Sequence, residues 1–206
     1  MPDSFPIAVL ISGRGTNLAA IHAAISAGHL DARIVAVCSN RPDAYGIGWA
    51  RQQGLPVTVY PRAEYGTRAA AQEAMLAHLQ AVGASLLVLA GWDQILIPAI
   101  VAAFDRRILN VHPSLLPAFA GTMHAVEDAL AYGVRVTGCT VHYVTDDVDC
   151  GPIVLQAAVP VLDDDTPDTL LARIHEQEYQ LLPRAIALQA AGRLRIDGRR
   201  VRILPM

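Results

Sequence analysis

Apolar positions in the first half of the chain fall in short unbroken runs rather than in alternation. Ile7–Ile11 (IAVLI), Ala32–Asn40 (ARIVAVCSN), Leu55–Tyr60 (LPVTVY), Ser85–Gly91 (SLLVLAG) and Arg107–Val111 (RILNV) each end in Gly, Pro or a polar turn. Such runs fit parallel strands covered on both faces. Between them, apolar residues recur at helical spacing over Thr16–Leu30, Ala44–Gly54 and Thr67–Gly83. Gly28 and Gly54 stand where two of these helices should stop, because glycine readily takes the left-handed C-terminal cap. Strand and helix in alternation predict an α/β fold with a doubly wound, mostly parallel sheet of Rossmann-like kind.

After Leu116 the pattern changes. Met123–Gly133 reads as a helix, and Arg135–Val144 and Pro152–Val161 as two strands joined by the acidic loop TDDVDCG. Thr166–Gly192 reads as a long helix, with Thr166 its N-cap and Pro167 in its first turn. Pro183 is expected to kink or restart it. Arg193–Ile203 reads as a hairpin with Asp197-Gly198 at the turn. Neither a repeat nor a linker interrupts the 206 residues, so a single domain over 1–206 is expected.

Composition narrows the chemistry. The chain is 53% hydrophobic with net charge −3, enough apolar residues for a core and no basic surface for nucleic acid or an anionic membrane. No apolar run is long enough to span a bilayer. The N-terminus carries no signal-peptide pattern. Three cysteines without a paired spacing support neither a disulfide framework nor a zinc ribbon. A cytoplasmic protein is expected. All 16 basic residues are arginine. The absence of lysine excludes Schiff-base chemistry and a Walker A loop.

Two stretches carry candidate chemistry. SGRGTNL, Ser12–Leu18, leaves the first strand and opens the first helix, where backbone amides and a helix N-terminus hold anions. Leu18 occupies the third glycine position of the dinucleotide fingerprint, and no acidic residue ends the second strand, so a monophosphate fits better than a dinucleotide. The second stretch is RILNVHPSLLPAF, Arg107–Phe119. Asn110 and His112 are two residues apart near a strand end and so project to one side. An amide and an imidazole side by side can donate to an oxygen gaining negative charge, as acyl transfer requires. Pro113 and Pro117 stiffen the exit. A carboxylate from the acidic loop (Asp146, Asp147, Asp149) can orient His112, raise its basicity, or take a proton from an attacking amine, although Asp146 and Asp147 read as an ordinary hydrophilic turn. As metal ligands the three aspartates fit poorly, since the loop lacks the EF-hand glycine and glutamate. His142, on the strand before that loop, reads as a supporting or structural side chain. No serine or cysteine reads as an activated nucleophile, which suggests direct transfer.

Together, ISGRGTNL, NVHPSLLPAF, GCTVHYVTDDVDCGPIVLQ and the helix around HEQE resemble the folate-dependent formyltransferase superfamily, and within it the phosphoribosylglycinamide formyltransferases of purine synthesis. The resemblance covers nearly the whole chain in order. It implies 10-formyltetrahydrofolate as co-substrate, glycinamide ribonucleotide as acceptor, no metal, and Asn110, His112 and Asp149 as catalytic residues. A protonated His112 paired with Asp149 would stabilise the oxyanion together with Asn110. Gly15, Thr16, Asn17, His175 and Glu178 fall on positions that meet the ribonucleotide. Arg68, Leu89, Trp92, Ile95, Leu96, Asn110, Thr145, Asp146 and Asp149 fall on folate-binding positions. The chain departs from the pattern at Asp93-Gln94, commonly Met-Arg, and at His175, commonly lysine or glutamine. Nothing is carried onto His124.

Three rivals are separable. Methionyl-tRNA formyltransferase needs a further domain and a basic surface. Formyltetrahydrofolate hydrolase carries an N-terminal domain, for which the first strand at Ile7 leaves no room. A non-catalytic phosphate-binding module explains SGRGTNL but not Asn110, His112 and Asp149 together. The sequence is compatible with a homodimer and does not fix the oligomeric state.

Overall fold

A computed structural model describes residues 4–205. The elements run β1 (Phe5–Ile11), α1 (Thr16–Ser26), β2 (Ala32–Ser39), α2 (Tyr45–Gln52), β3 (Val57–Val59), α3 (Arg62–Tyr65), α4 (Arg68–Ala81), β4 (Leu86–Leu89), α5 (Pro98–Ala103) and β5 (Ile108–His112). They continue with α6 (Ala125–Tyr132), β6 (Val136–Tyr143), β7 (Ile153–Pro160), α7 (Pro167–Ala190), β8 (Leu194–Asp197) and β9 (Arg200–Ile203). The chain groups into two compact units, Met1–Leu109 and Asn110–Met206, so the boundary falls inside β5. The sequence carries no linker there because a continuous strand crosses it.

In the first unit the strands lie in the order β3-β2-β1-β4, all parallel. The chain adds β2 and β3 on one side of β1, then returns to set β4 on the other. Right-handed crossovers in opposite directions put helices on both faces of such a sheet. Ile7–Ile11 and Leu86–Val88 are accordingly fully buried, which is why their sequences show no alternation. The order reverses at β1 and β4, and in this architecture ligands sit at the carboxyl ends of the strands where it does so. The helices α3 and α5, of 4 and 6 residues, are too short to leave a periodic signal.

In the second unit β6 and β7 pair antiparallel, β7 pairs parallel with β9, and β8 closes an antiparallel hairpin with β9. Thr166 caps α7 through a reciprocal box with Thr169, as its position before Pro167 suggests. The helix does not restart at Pro183 but runs on to Ala190. Leu181, Leu182, Pro183, Ala185 and Ile186 are all buried in this turn, and that packing offsets the hydrogen bond proline cannot make. The hairpin turn is Gly198-Arg199, one residue later than expected, because Asp197 pairs with Arg200 and accepts from Arg202 Nη2 at 3.0 Å. No helix among the described residues is long and apolar enough to cross a membrane.

Candidate active site

The first unit carries the glycine loop. Gly15 has φ +75 and forms the N-cap of α1, so the first turn of α1 receives no capping side chain from that position. A Cβ on Gly15 would lie 2.8 Å from the Cα of Gly46, and one on Gly46 would lie 2.9 Å from the Cα of Gly15. The loop backbone therefore rests directly on the first turn of α2, and the Gly46 N–H donates to the Gly13 carbonyl at 3.1 Å. Gly46 escaped sequence reading; its signal was a glycine in the first turn of an otherwise helical stretch. Asn17 is buried and Thr16 half-buried beside the loop. Backbone amides at this helix start form a cradle for an anion.

The same unit carries the first group of folate-assigned residues. Leu89, Trp92 and Leu96 are buried where β4 runs out into an irregular loop, while Ile95 is 57% exposed. Arg68 is exposed at the first position of α4. The indole N–H of Trp92 is buried without a hydrogen-bond partner.

The second unit brings Asn110, His112 and Asp149 together. His112 Nδ1 lies 3.4 Å from one Asp149 carboxylate oxygen, and its Nε2–H donates to the Phe119 carbonyl at 2.9 Å. His142 completes the group. Its Nδ1 faces the Tyr143 carbonyl at 2.9 Å, which fixes the proton on Nδ1 and leaves Nε2 to accept from Asn110 Nδ2 at 3.1 Å. That bond orients the Asn110 amide, so the second hydrogen on Nδ2 is aimed by the fold rather than by chance. His142 Nε2 also lies 3.6 Å from the other Asp149 oxygen. The sequence offers His142 as a supporting or structural side chain, and its neighbours show which groups it meets.

Electrostatics in this cluster run in both directions. Burial pushes the His112 imidazole below its ordinary value, and Asp149 and the Phe119 carbonyl only partly restore it. The neutral ring is thus the resting form at neutral pH, whereas the resemblance implies a protonated one. Desolvation outweighs the single carboxylate. Burial alone would raise the Asp149 carboxyl. The nearby His142 ring, the Gly121 amide donating at 2.8 Å and the His112 ring outweigh it and hold the group below the ordinary carboxylate range.

Local backbone sets these positions. Asp149 has φ 53, a left-handed conformation tolerated by aspartate but uncommon for a residue with a side chain. Two residues on, a Cβ on Gly151 would stand 1.7 Å from the Tyr143 carbonyl oxygen, so only glycine lets the loop return against β6. The exit from β5 is held by more than its prolines. Thr140 Oγ1 donates to the Ser114 carbonyl at 2.7 Å and accepts from the Leu116 N–H at 3.0 Å. Gln156 donates to the Leu116 carbonyl at 3.0 Å.

Thr145 and Asp146 are exposed in the acidic loop, with Thr145 Oγ1 donating to the Asp147 carbonyl at 3.1 Å. His175 and Glu178 sit one turn apart on α7, with Nε2 and Oε2 3.9 Å apart and Glu178 only 3% exposed. His175 stacks on Tyr179. Among the described residues no three His, Cys, Asp or Glu side chains gather as metal ligands.

Comparison with known proteins gives a consistent answer. The family model described as formyl transferase matches residues 6–186. The chain is 43% identical over 190 residues to a phosphoribosylglycinamide formyltransferase of Haemophilus influenzae, covering 92% of this chain and 89% of the relative. It is 39% identical over 202 residues to the Escherichia coli protein of the same name, covering 95% of each. The crystal structure of glycinamide ribonucleotide transformylase 1 from Symbiobacterium toebii superposes with a TM-score of 0.96 at 49% identity, covering 100% of this chain and 96% of that one.

Proposed function

The chain belongs to the formyl transferase family, and from that premise we propose that it transfers the formyl group of 10-formyltetrahydrofolate to the amine of glycinamide ribonucleotide. The observation that carries this reading is the cluster of Asn110, His112, Asp149 and His142, all within 3.6 Å of a neighbour in the group. The amine nitrogen attacks the formyl carbon, a new C–N bond forms, and the carbonyl becomes an oxyanion. Asn110, its amide fixed by His142, donates to that oxygen. His112 starts neutral. The growing negative charge adds to that of Asp149 and favours the imidazolium, so the ring takes up the proton that the attacking nitrogen releases as the oxyanion forms. As the old C–N bond breaks, that proton moves past Asp149, through water, to N10 of the folate, the carbonyl re-forms and the ring is neutral again. No enzyme nucleophile is consumed, so no acyl-enzyme accumulates.

The nucleotide phosphate is assigned to the Gly15–Asn17 backbone cradle, with His175 and Glu178 contacting the same substrate. The folate is assigned to Arg68, Leu89, Trp92, Ile95, Leu96, Asn110, Thr145, Asp146 and Asp149. Deformylation of a 10-formyl folate, followed spectroscopically with and without glycinamide ribonucleotide, tests the reading. Turnover only with the nucleotide is expected. Equal turnover without it would assign a hydrolase instead.

A further inference from the structure

Gln72 is 2% exposed on α4, a polar side chain among buried Ala71, Met75 and Leu79. Burying an amide costs free energy unless its hydrogen bonds are met. The Gln72 amide makes its hydrogen bonds to the loop that leaves β4. Its Nε2 donates to Gln94 Oε1 at 3.2 Å and to the Ile95 carbonyl at 3.1 Å, and its Oε1 accepts from the Ile97 N–H at 2.8 Å.

The start of the same loop is held by a second tether. Ser12 Oγ donates to Asn40 Oδ1 at 2.7 Å, Asn40 Nδ2 donates to Asp93 Oδ1 at 2.8 Å, and the Asp93 N–H returns to Ser12 Oγ at 3.0 Å. Arg41 pairs with the other Asp93 oxygen. Because β1 lies between β2 and β4, this relay spans the carboxyl end of β1. Between its ends the loop has no regular structure, and side chains take up its hydrogen-bonding groups.

We propose that Gln72 and Asn40 are positioning residues for the folate donor: they hold the Trp92–Leu96 loop in its binding geometry from both ends. The proposal rests on the reading that this loop takes the folate. Buried Gln72 is out of reach of a substrate and acts only through the loop. A loop ordered before binding spares the donor the cost of ordering it, so its loosening appears as weaker donor binding and not as slower chemistry.

The test uses Gln72→Leu, which keeps size and removes all three bonds, and Asn40→Ala, which opens the other tether. Both substrates are varied in steady state, and binding of tetrahydrofolate, which cannot react, is titrated calorimetrically. Loss of buried hydrogen bonds predicts a donor KM and a tetrahydrofolate Kd raised roughly tenfold. The kcat and the nucleotide KM are expected to stay within about twofold, since only donor binding is loosened. Circular dichroism checks folding; if Gln72→Leu does not fold, Asn40→Ala decides. Tight folate binding by wild type and variants alike overturns the tethers alone. A fall in kcat at unchanged donor KM also overturns them. Failure of the wild-type protein to bind tetrahydrofolate overturns the folate reading beneath them.

Discussion

Replacing Asp149 by Asn removes one charge and little else. Asparagine has the same shape and tolerates the left-handed φ of 53 at this position, so backbone strain does not confound the result. The lost charge sits 3.4 Å from His112 Nδ1 on a side chain 10% exposed, where water screens little. At an effective dielectric constant of about 20, two full charges at that separation attract by about 5 kcal/mol, an upper limit for what the imidazolium loses. Removal of one preorganised partner of an oxyanion site typically costs about 3–4 kcal/mol, or roughly 10²–10³ in kcat. The two figures agree if His112 is largely protonated in the transition state. Initial rates with each substrate varied, alongside circular dichroism, measure the effect. The expected result is a kcat lowered by roughly 10²–10³, with each KM within a few-fold and the fold intact. A kcat within about tenfold of wild type would refute the coupling of Asp149 to His112.

Other expectations follow from single features. His112 is held below its ordinary value of 6.5 by burial, so the unfolded chain binds its proton first as pH falls below that value, and stability declines. Asp149, also lowered, adds its own loss only further into acid, below 3.8. Denaturant titrations at pH 7.5 and 5.5 should therefore show a smaller pH-dependent loss in His112→Gln than in wild type; equal losses would contradict this. The Thr137 hydroxyl is buried without a hydrogen-bond partner on β6, so Thr137→Val is expected to raise stability by about 1 kcal/mol in the same assay. Gly46→Ala would drive a methyl against the backbone of Gly15 and the Ile11 side chain, and should cost about 1–3 kcal/mol of stability while weakening nucleotide binding measured by calorimetry.

Much of this was legible before the fold was known. The sheet of the first unit announced itself because strands buried on both faces must be apolar throughout, and Ile7–Ile11 is. Asn110 and His112 stood out because an amide and an imidazole two apart at the end of such a strand, with an acidic loop further on, can serve an oxyanion. Asp149 was legible as one of three loop carboxylates, singled out by the family resemblance, and the fold adds its burial and the turn that Gly151 permits. His142, Gln72 and Gly46 were harder for one shared reason: each acts through a partner distant in sequence. His142 sits 32 residues from Asn110, and Gln72 lies 22 to 25 residues from the loop it holds. A glutamine in TRAAAQEAM reads as solvent-facing until tertiary packing buries it. At Asp93-Gln94, where the chain departs from the common Met-Arg, the fold uses both side chains to anchor the loop. α7 continues through Pro183 without a restart, since local rules do not count the packing on either side of it.

The most direct test of the central claim is the fate of the formyl carbon. The protein would be given 10-formyltetrahydrofolate labelled with carbon-13 in the formyl group, together with glycinamide ribonucleotide, and the products read by carbon-13 NMR. Direct transfer predicts that the label appears in the formamide of the nucleotide, in step with release of tetrahydrofolate and without labelled protein. Label appearing as free formate, or held on the protein, would contradict the account.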